Sequence, residues 1–147
     1  MSDLLATLAA PGPTIIALTQ PFWSAAASGR LVIQFCEDCT KHVFYPRAIC
    51  PHCWSVSLVW RDASGFGRLK TFSEVHKPGH PAWLPAAPYT VGLVELAEGP
   101  TMTSFILRGK DDGLTIGDQL ILTPTRIGGR MLPAFRKSGT RPVQQED

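Results

Sequence analysis

Two Cys-x-x-Cys pairs constrain this chain more than any other feature. Cys36-Glu37-Asp38-Cys39 and Cys50-Pro51-His52-Cys53 lie ten residues apart and use all four cysteines of the sequence. Each pair forms a tight knuckle that turns two sulfurs towards one ion, and two knuckles complete a tetrahedron of thiolates with metal–sulfur distances near ~2.3 Å. Soft sulfur ligands select zinc, or iron of the rubredoxin kind, over magnesium or calcium. Two disulfides are the rival use of these residues, but they need an oxidising compartment. The apolar run near the start, Leu4 to Ala10, follows an acidic Asp3 and does not resemble an export signal. A redox-active dithiol needs one such motif opening a helix in an alternating β/α chain, a context missing here. Four protein ligands close the coordination sphere, so the ion stabilises rather than catalyses. In a module with little core of its own it supplies ~10 kcal/mol or more. His42 and His52 are read as exposed neighbours of the ligands.

The chain has 147 residues, which suits one domain or two small ones sharing a core and excludes a large catalytic barrel. With 44% hydrophobic residues it has the apolar content of a folded protein. Fourteen Lys+Arg against twelve Asp+Glu leave a formal charge of +2, too weak to favour a polyanion. No stretch approaches the ~20 apolar residues that cross a bilayer. Together these point to a cytoplasmic protein with reduced cysteines, away from membranes and nucleic acid.

Residues Met1 to Thr14 read as a loosely held arm closed by Pro11-Gly12-Pro13. Thr19 is placed to cap a helix over Gln20–Ser28, with Pro21 in its first turn and Gly29 ending it. Its Phe22-Trp23 pair is a docking anchor, on this chain's own core or on a partner. Leu31–Phe35 and Leu58–Arg61 bracket the cysteine region as short strands. Five further strands follow: Gly67–Val75, Tyr89–Leu96, Met102–Leu107, Gln119–Ile127 and Met131–Lys137. Pro124 demotes its strand to an edge or marks a bulge. Five short strands without crossover helices imply an antiparallel sandwich or small barrel, and a five-stranded OB-type barrel fits the count. From Ser138 the tail is polar.

No chemistry of catalysis is written in the sequence. With the cysteines on metal, no thiol is left as nucleophile. Gly-x-Ser-x-Gly and the glycine-rich phosphate motifs do not occur. Glu74 and His76 alternate on one strand face, but such a pair is ordinarily a solvated polar surface. Two features suit binding instead. The proline-rich loop Lys77–Pro88 either presents Trp83 as a rigid anchor or folds it back to cap the barrel. Arg126, Arg130, Arg136 and Lys137 gather round the last hairpin. They would meet the phosphates of a nucleotide-bearing ligand or a partner's acidic surface, or form an ordinary solvated face.

Several of these elements together resemble one family. Phe22-Trp23, Gly29-Arg30-Leu31, Cys36-x-x-Cys39, Pro46-Arg47-x-x-Cys50-Pro51-x-Cys53 and Gly65-x-Gly67, with Gly117-Asp118 and Pro133-x-Phe135-Arg136, are similar to the DUF35 family from about Gln20 to Lys137. The resemblance implies a mainly β fold: an N-terminal arm and short helix over 1–30, a rubredoxin-like zinc ribbon over 31–60, an OB-fold over 61–138 and a polar tail over 139–147. It assigns Cys36, Cys39, Cys50 and Cys53 to one structural zinc. It also implies a non-catalytic accessory subunit, bound in a hetero-oligomer to a thiolase-like or lipid-transfer-protein-type enzyme and helping to form or stabilise its acyl-CoA site. The complex as a whole would act as a thiolase or aldolase. Contacts to partner or ligand are expected from Phe22, Trp23, Trp83, Arg126, Arg130, Arg136 and Lys137. The alternatives are a nucleic-acid-binding zinc-ribbon/OB module, with Phe72 and Phe105 as stacking candidates, and a free-standing acyl-CoA-binding protein.

Overall fold

A computed structural model of the chain describes residues 2–109 and 111–139. Its centre is a closed barrel of five strands: β4 (Phe66–Val75), β5 (Tyr89–Leu96), β6 (Thr101–Leu107), β7 (Gln119–Leu122) and β10 (Ala134–Lys137), in the order β10-β6-β5-β4-β7. All junctions are antiparallel except β10 on β6. This is an OB-fold. The long β4 serves two neighbours, and a register shift between Leu69 and Thr71 bends it from one to the other.

A second sheet of three strands holds the cysteines. β1 (Val32–Cys36) lies between β2 (His42–Val43) and β3 (Leu58–Asp62). Gln34, buried in its middle, clamps the following loop: its Nε2 donates to the Arg47 carbonyl at 2.8 Å, and its Oε1 accepts from the Arg47 N–H at 2.7 Å. This ribbon and the barrel share one core. Leu31 and Ile33 from the ribbon, Phe22 from the helix, and Leu69, Val94, Met102, Ile106, Leu120 and Phe135 from the barrel form a single buried cluster. At ~25 cal/mol per Å² of apolar surface, this shared burial makes each part depend on the other.

Helix α2 (Gln20–Ala27) closes that core from one side. Its end follows the expected glycine rule: the Gly29 N–H donates to Ala26 O at 2.9 Å and the Arg30 N–H to Ala25 O at 2.9 Å, with Gly29 at φ +76°. Its start does not follow expectation. Thr19 is itself helical (φ −98°, ψ −4°) and makes no side-chain cap, because its Oγ1 is engaged with the backbone of Ile16 at 3.3 Å.

Two further expectations are corrected. The arm is not loose: it opens with α1 (Ser2–Ala6) and buries Leu5 and Leu8 against Ala86, Ile127 and the rings of Trp83, Tyr89 and Phe105. The last two strands are also not continuous. Pro124 and Pro133, which lack the N–H a ladder needs, divide them into β7, β8 (Thr125–Ile127), β9 (Arg130–Leu132) and β10. β8 and β9 make a separate hairpin, turned by Gly128 and Gly129 at φ +59° and +79°. Both central residues of such a two-residue turn require positive φ. Gly128 also seats the arm: its N–H donates to Leu5 O at 2.9 Å, and a Cβ there would lie 3.2 Å from the carbonyl oxygens of Leu8 and Ala10. The expected tail falls, from residue 140 on, outside the described residues, as do Lys110 and Arg141. Among the described residues no helix is long and apolar enough to cross a membrane.

Candidate metal centre and adjoining cleft

The two knuckles are near copies of one another. In the first, the Cys36 N–H donates to Lys41 O at 2.9 Å and the Thr40 N–H to Cys36 O at 2.8 Å. In the second, the Cys50 N–H donates to Ser55 O at 2.8 Å and the Trp54 N–H to Cys50 O at 2.9 Å. Thr40 and Trp54, four residues after each leading cysteine, both take positive φ, +59° and +67°. The turns are joined by a hydrogen bond from Ser55 Oγ to the Asp38 carboxylate. Each turn thus points its sulfurs inward by backbone geometry alone.

All four Sγ atoms lie within 4.8 Å of one another. Cys36 and Cys53 approach to 3.5 Å, Cys39 and Cys50 to 3.7 Å. A disulfide needs about 2.05 Å, whereas a tetrahedron with metal–sulfur bonds of ~2.3 Å has edges of ~3.8 Å. All four cysteines are free thiols. Their titration is uneven. The backbone N–H of Cys39 draws the Cys36 thiol down to about 7, against the opposing effect of burial. Burial pushes the Cys39 thiol up. At Cys53 the Ser55 N–H pulls downwards, yet burial and the three neighbouring sulfurs outweigh it and push the thiol up to about 12. One thiolate therefore forms readily and opposes the next. A divalent cation removes that conflict, so the donor set fits zinc in both spacing and charge. His52 stands beside the cluster, its N–H donating to Cys50 Sγ at 3.4 Å, and its residue is exposed.

The structure brings three other candidates together. Trp23 on α2 and Arg126 and Arg130 on the β8–β9 hairpin line one cleft of about 390 Å³, with Ile15, Gln20, Ser24 and Met131 completing it. The hairpin reaches the helix because the prolines release it from the barrel ladder. Arg126 Nη1 donates to Gly129 O at 3.1 Å, which holds the guanidinium beside the turn. Phe22, the neighbour of Trp23, points the other way into the core, with the two rings edge-on at 4.9 Å. Ile15, Gln20, Ser24 and Met131 carried no signal in the sequence; only the packing of the hairpin on α2 collects them.

The remaining candidates lie apart from that cleft. Trp83 sits in a 3₁₀ turn, Pro81–Ala86, and folds back with its ring 5.3 Å from Tyr89 and 6.4 Å from Phe105. Its neighbour Leu84 is an exposed large apolar side chain of that loop. Lys137 pairs with Asp118 at 3.2 Å at the barrel's end, and Arg136 is held in β10 between β6 and β7. The Glu74 carboxylate meets His76 at 3.4 Å and Arg108 at 3.7 Å on an open surface. Phe72 and Phe105 pack against the two core clusters.

The model for the rubredoxin-like zinc ribbon domain of ChsH2 matches residues 23–59, and that for the C-terminal OB-fold domain of ChsH2 matches residues 60–123. A probable enoyl-CoA hydratase alpha subunit of Thermomonospora curvata is 36% identical over 128 residues, 86% of this chain and 38% of that protein. A DUF35 domain-containing scaffold protein of Methanothermobacter thermautotrophicus is 36% identical over 86 residues, 58% of this chain and 64% of that protein. The chain thus spans less than two thirds of the length of either curated relative. Among solved structures, a chain of the Ltp2-ChsH2(DUF35) aldolase superposes with a TM-score of 0.76 at 33% identity, covering 86% of this chain and 99% of that one.

Proposed function

The chain belongs to the DUF35 family, with a ChsH2-type zinc ribbon and OB-fold, and on that basis we propose that it is a non-catalytic accessory subunit. Its partner is an enzyme of the thiolase superfamily or of lipid-transfer-protein type, whose acyl-CoA site it helps to form or stabilise. The observation that supports this reading is the match to 99% of a chain of the Ltp2-ChsH2(DUF35) aldolase.

The geometry supports a division of labour. Cys36, Cys39, Cys50 and Cys53 would hold one zinc ion, which supplies a structural cross-link when bound. The ribbon it braces shares its core with the barrel and α2, so the ion also fixes where α2 stands. The cleft between α2 and the hairpin then offers two guanidiniums, matched in shape to phosphate oxygens, beside an indole suited to a flat ring. Such a cleft takes the nucleotide end of an acyl-CoA, leaving the thioester to the partner. Arg126 and Arg130 would hold the anion in register, and Trp23 would shield it from water.

Coexpression with the cognate enzyme tests this. One complex that carries one zinc per copy of this chain is expected. The double variant Arg126→Ala/Arg130→Ala should keep the complex and raise KM for the acyl-CoA about tenfold, the equivalent of ~1.4 kcal/mol. Separate elution of the two proteins, with enzyme activity indifferent to this chain, refutes the proposal.

A further inference from the structure

The near-symmetry of the knuckles exposes a difference between them. Around the first, Phe35 and His42 are partly covered by the ribbon's own sheet, while Thr40 is exposed. Phe35 pairs with His42 and Val59 across β1, carries the Arg61 guanidinium 3.7 Å above its ring, and meets the His42 ring at 5.0 Å. A shift of fourteen residues relates Phe35, Thr40 and His42 to Ile49, Trp54 and Val56 around the second knuckle. Among the described residues no strand covers these three. Ile49 is 48% exposed, Val56 76% and Trp54 83%. Trp54 also holds φ +67°, a conformation that a bulky residue adopts only under constraint. An indole this exposed buries little surface in the isolated chain.

The surroundings of this tip indicate what covers it. The Glu37 N–H donates to Ser57 O at 3.0 Å, and Ser55 Oγ donates to the Asp38 carboxylate, so the acidic turn of the first knuckle lies against the exit of the second. Glu37 and Asp38 are both exposed. Lys41 is the single lysine or arginine of the two knuckles, residues 36–41 and 50–55. Four thiolates round a divalent ion add further negative charge. The patch is thus apolar at its centre and acidic along the edge formed by Glu37 and Asp38, while the exposed Arg47 stands two residues before Ile49. It measures on the order of a few hundred Å², well short of the ~800 Å² per side of a stable interface. It is the anchor of a larger contact rather than a dimer surface complete in itself.

Resting on the accessory-subunit reading, we propose that Trp54, flanked by Ile49 and Val56, is the anchor by which the ribbon docks into an apolar, basic-rimmed socket on the partner enzyme. Buried tryptophans dominate such contacts.

The test compares zinc-loaded, full-length variants for binding to the cognate enzyme by calorimetry. Trp54→Gly should retain zinc and melt at or above the wild-type temperature, since glycine accepts positive φ, yet bind at least ~30-fold more weakly, as loss of a central aromatic anchor does. Thr40→Gly, the same relief of positive φ on the first knuckle but without loss of an aromatic side chain, should bind within about twofold of wild type. Val56→Asp, outside both metal turns, should repeat the loss, and raised salt should weaken wild-type binding. Wild-type affinity in both Trp54→Gly and Val56→Asp overturns the anchor and leaves the accessory role standing. A wild-type chain that binds no such enzyme overturns both. Self-association of the isolated chain that Trp54→Gly abolishes gives the patch to a second copy and overturns the assignment to an enzyme.

Discussion

Gly92 offers a test of the barrel whose size follows from the structure. It lies in β5 between Phe72 of β4 and Ser104 of β6. A Cβ at this position would come within 2.8 Å of Ile106 Cγ1 and within 3.1 Å of both Ile106 Cδ1 and Leu69 Cδ1. Carbon atoms rest at about 3.5–4.0 Å, so Ile106 would have to retreat by about 0.7 Å or more. It has nowhere to go, since Leu69 and Ile106 are at most 1% exposed in a core packed like a crystal. Overpacking of this kind costs about 1–3 kcal/mol. Alanine returns only about 0.4–1 kcal/mol by narrowing the unfolded ensemble, so the clash wins. For a chain of this length Gly92→Ala should lower Tm by roughly 2–10 °C. Gly79→Ala is the control, because no atom lies within 4 Å of its Cβ position and its φ is not left-handed. It should melt within about 2 °C of wild type or slightly higher. Thermal unfolding of the zinc-loaded protein followed by circular dichroism decides the matter. A Gly92→Ala variant that melts with or above wild type, or a Gly79→Ala variant that falls as far, refutes the reasoning.

Three other outcomes follow from the same structure. Leu5→Ala should release the arm, at a cost of about 2–3 kcal/mol, and hydrogen exchange should show the Gly128 amide, bonded to Leu5 O, losing its protection; unchanged protection would mean that Leu5 does not hold the arm. Cys50→Ser should take the zinc content, measured by mass spectrometry of the metal, from one per chain to near none, and acid should release zinc from wild type as the thiolates are protonated. A Cys50→Ser protein that still holds one zinc removes Cys50 from the ligand set. Asp118 is held below the usual carboxylate range, first by the Thr115 N–H and then by Lys137, with burial opposing. A depressed folded pKa gives stability that is full above the unfolded value near ~3.9 and lost as pH falls through the folded value. Asp118→Asn should therefore be less stable than wild type at neutral pH, with the gap closing below about pH 4; a gap constant across that range contradicts the linkage.

The gathering of the four cysteines was legible because their spacing is local: two Cys-x-x-Cys turns carry their geometry with them. The barrel was legible as a count of apolar runs. Pro124 and Pro133 were visible too, but a proline in a strand tells only that a hydrogen bond is missing. Whether the strand bulges or ends depends on its neighbours, and here both ended. The arm was misjudged because nothing near Leu5 and Leu8 in sequence shows what receives them. Their seat is Trp83, Tyr89, Phe105 and Gly128, far along the chain. The same rings decide Trp83 in favour of folding back. Trp23, Arg126 and Arg130 are each conspicuous in the sequence, yet their meeting depends on the hairpin leaving the barrel. Thr40 and Trp54 gave no sign of positive φ, since glycine or asparagine normally marks that conformation.

The central question is whether this chain works through another protein's active site. The direct measurement is recovery of the tagged, zinc-loaded chain from its own cells, with identification and assay of what comes with it. The expected result is a near-stoichiometric thiolase-superfamily enzyme, with acyl-CoA turnover by the pair and none by this chain alone. Recovery of the chain without an enzyme, or thioester turnover by the chain on its own, contradicts it.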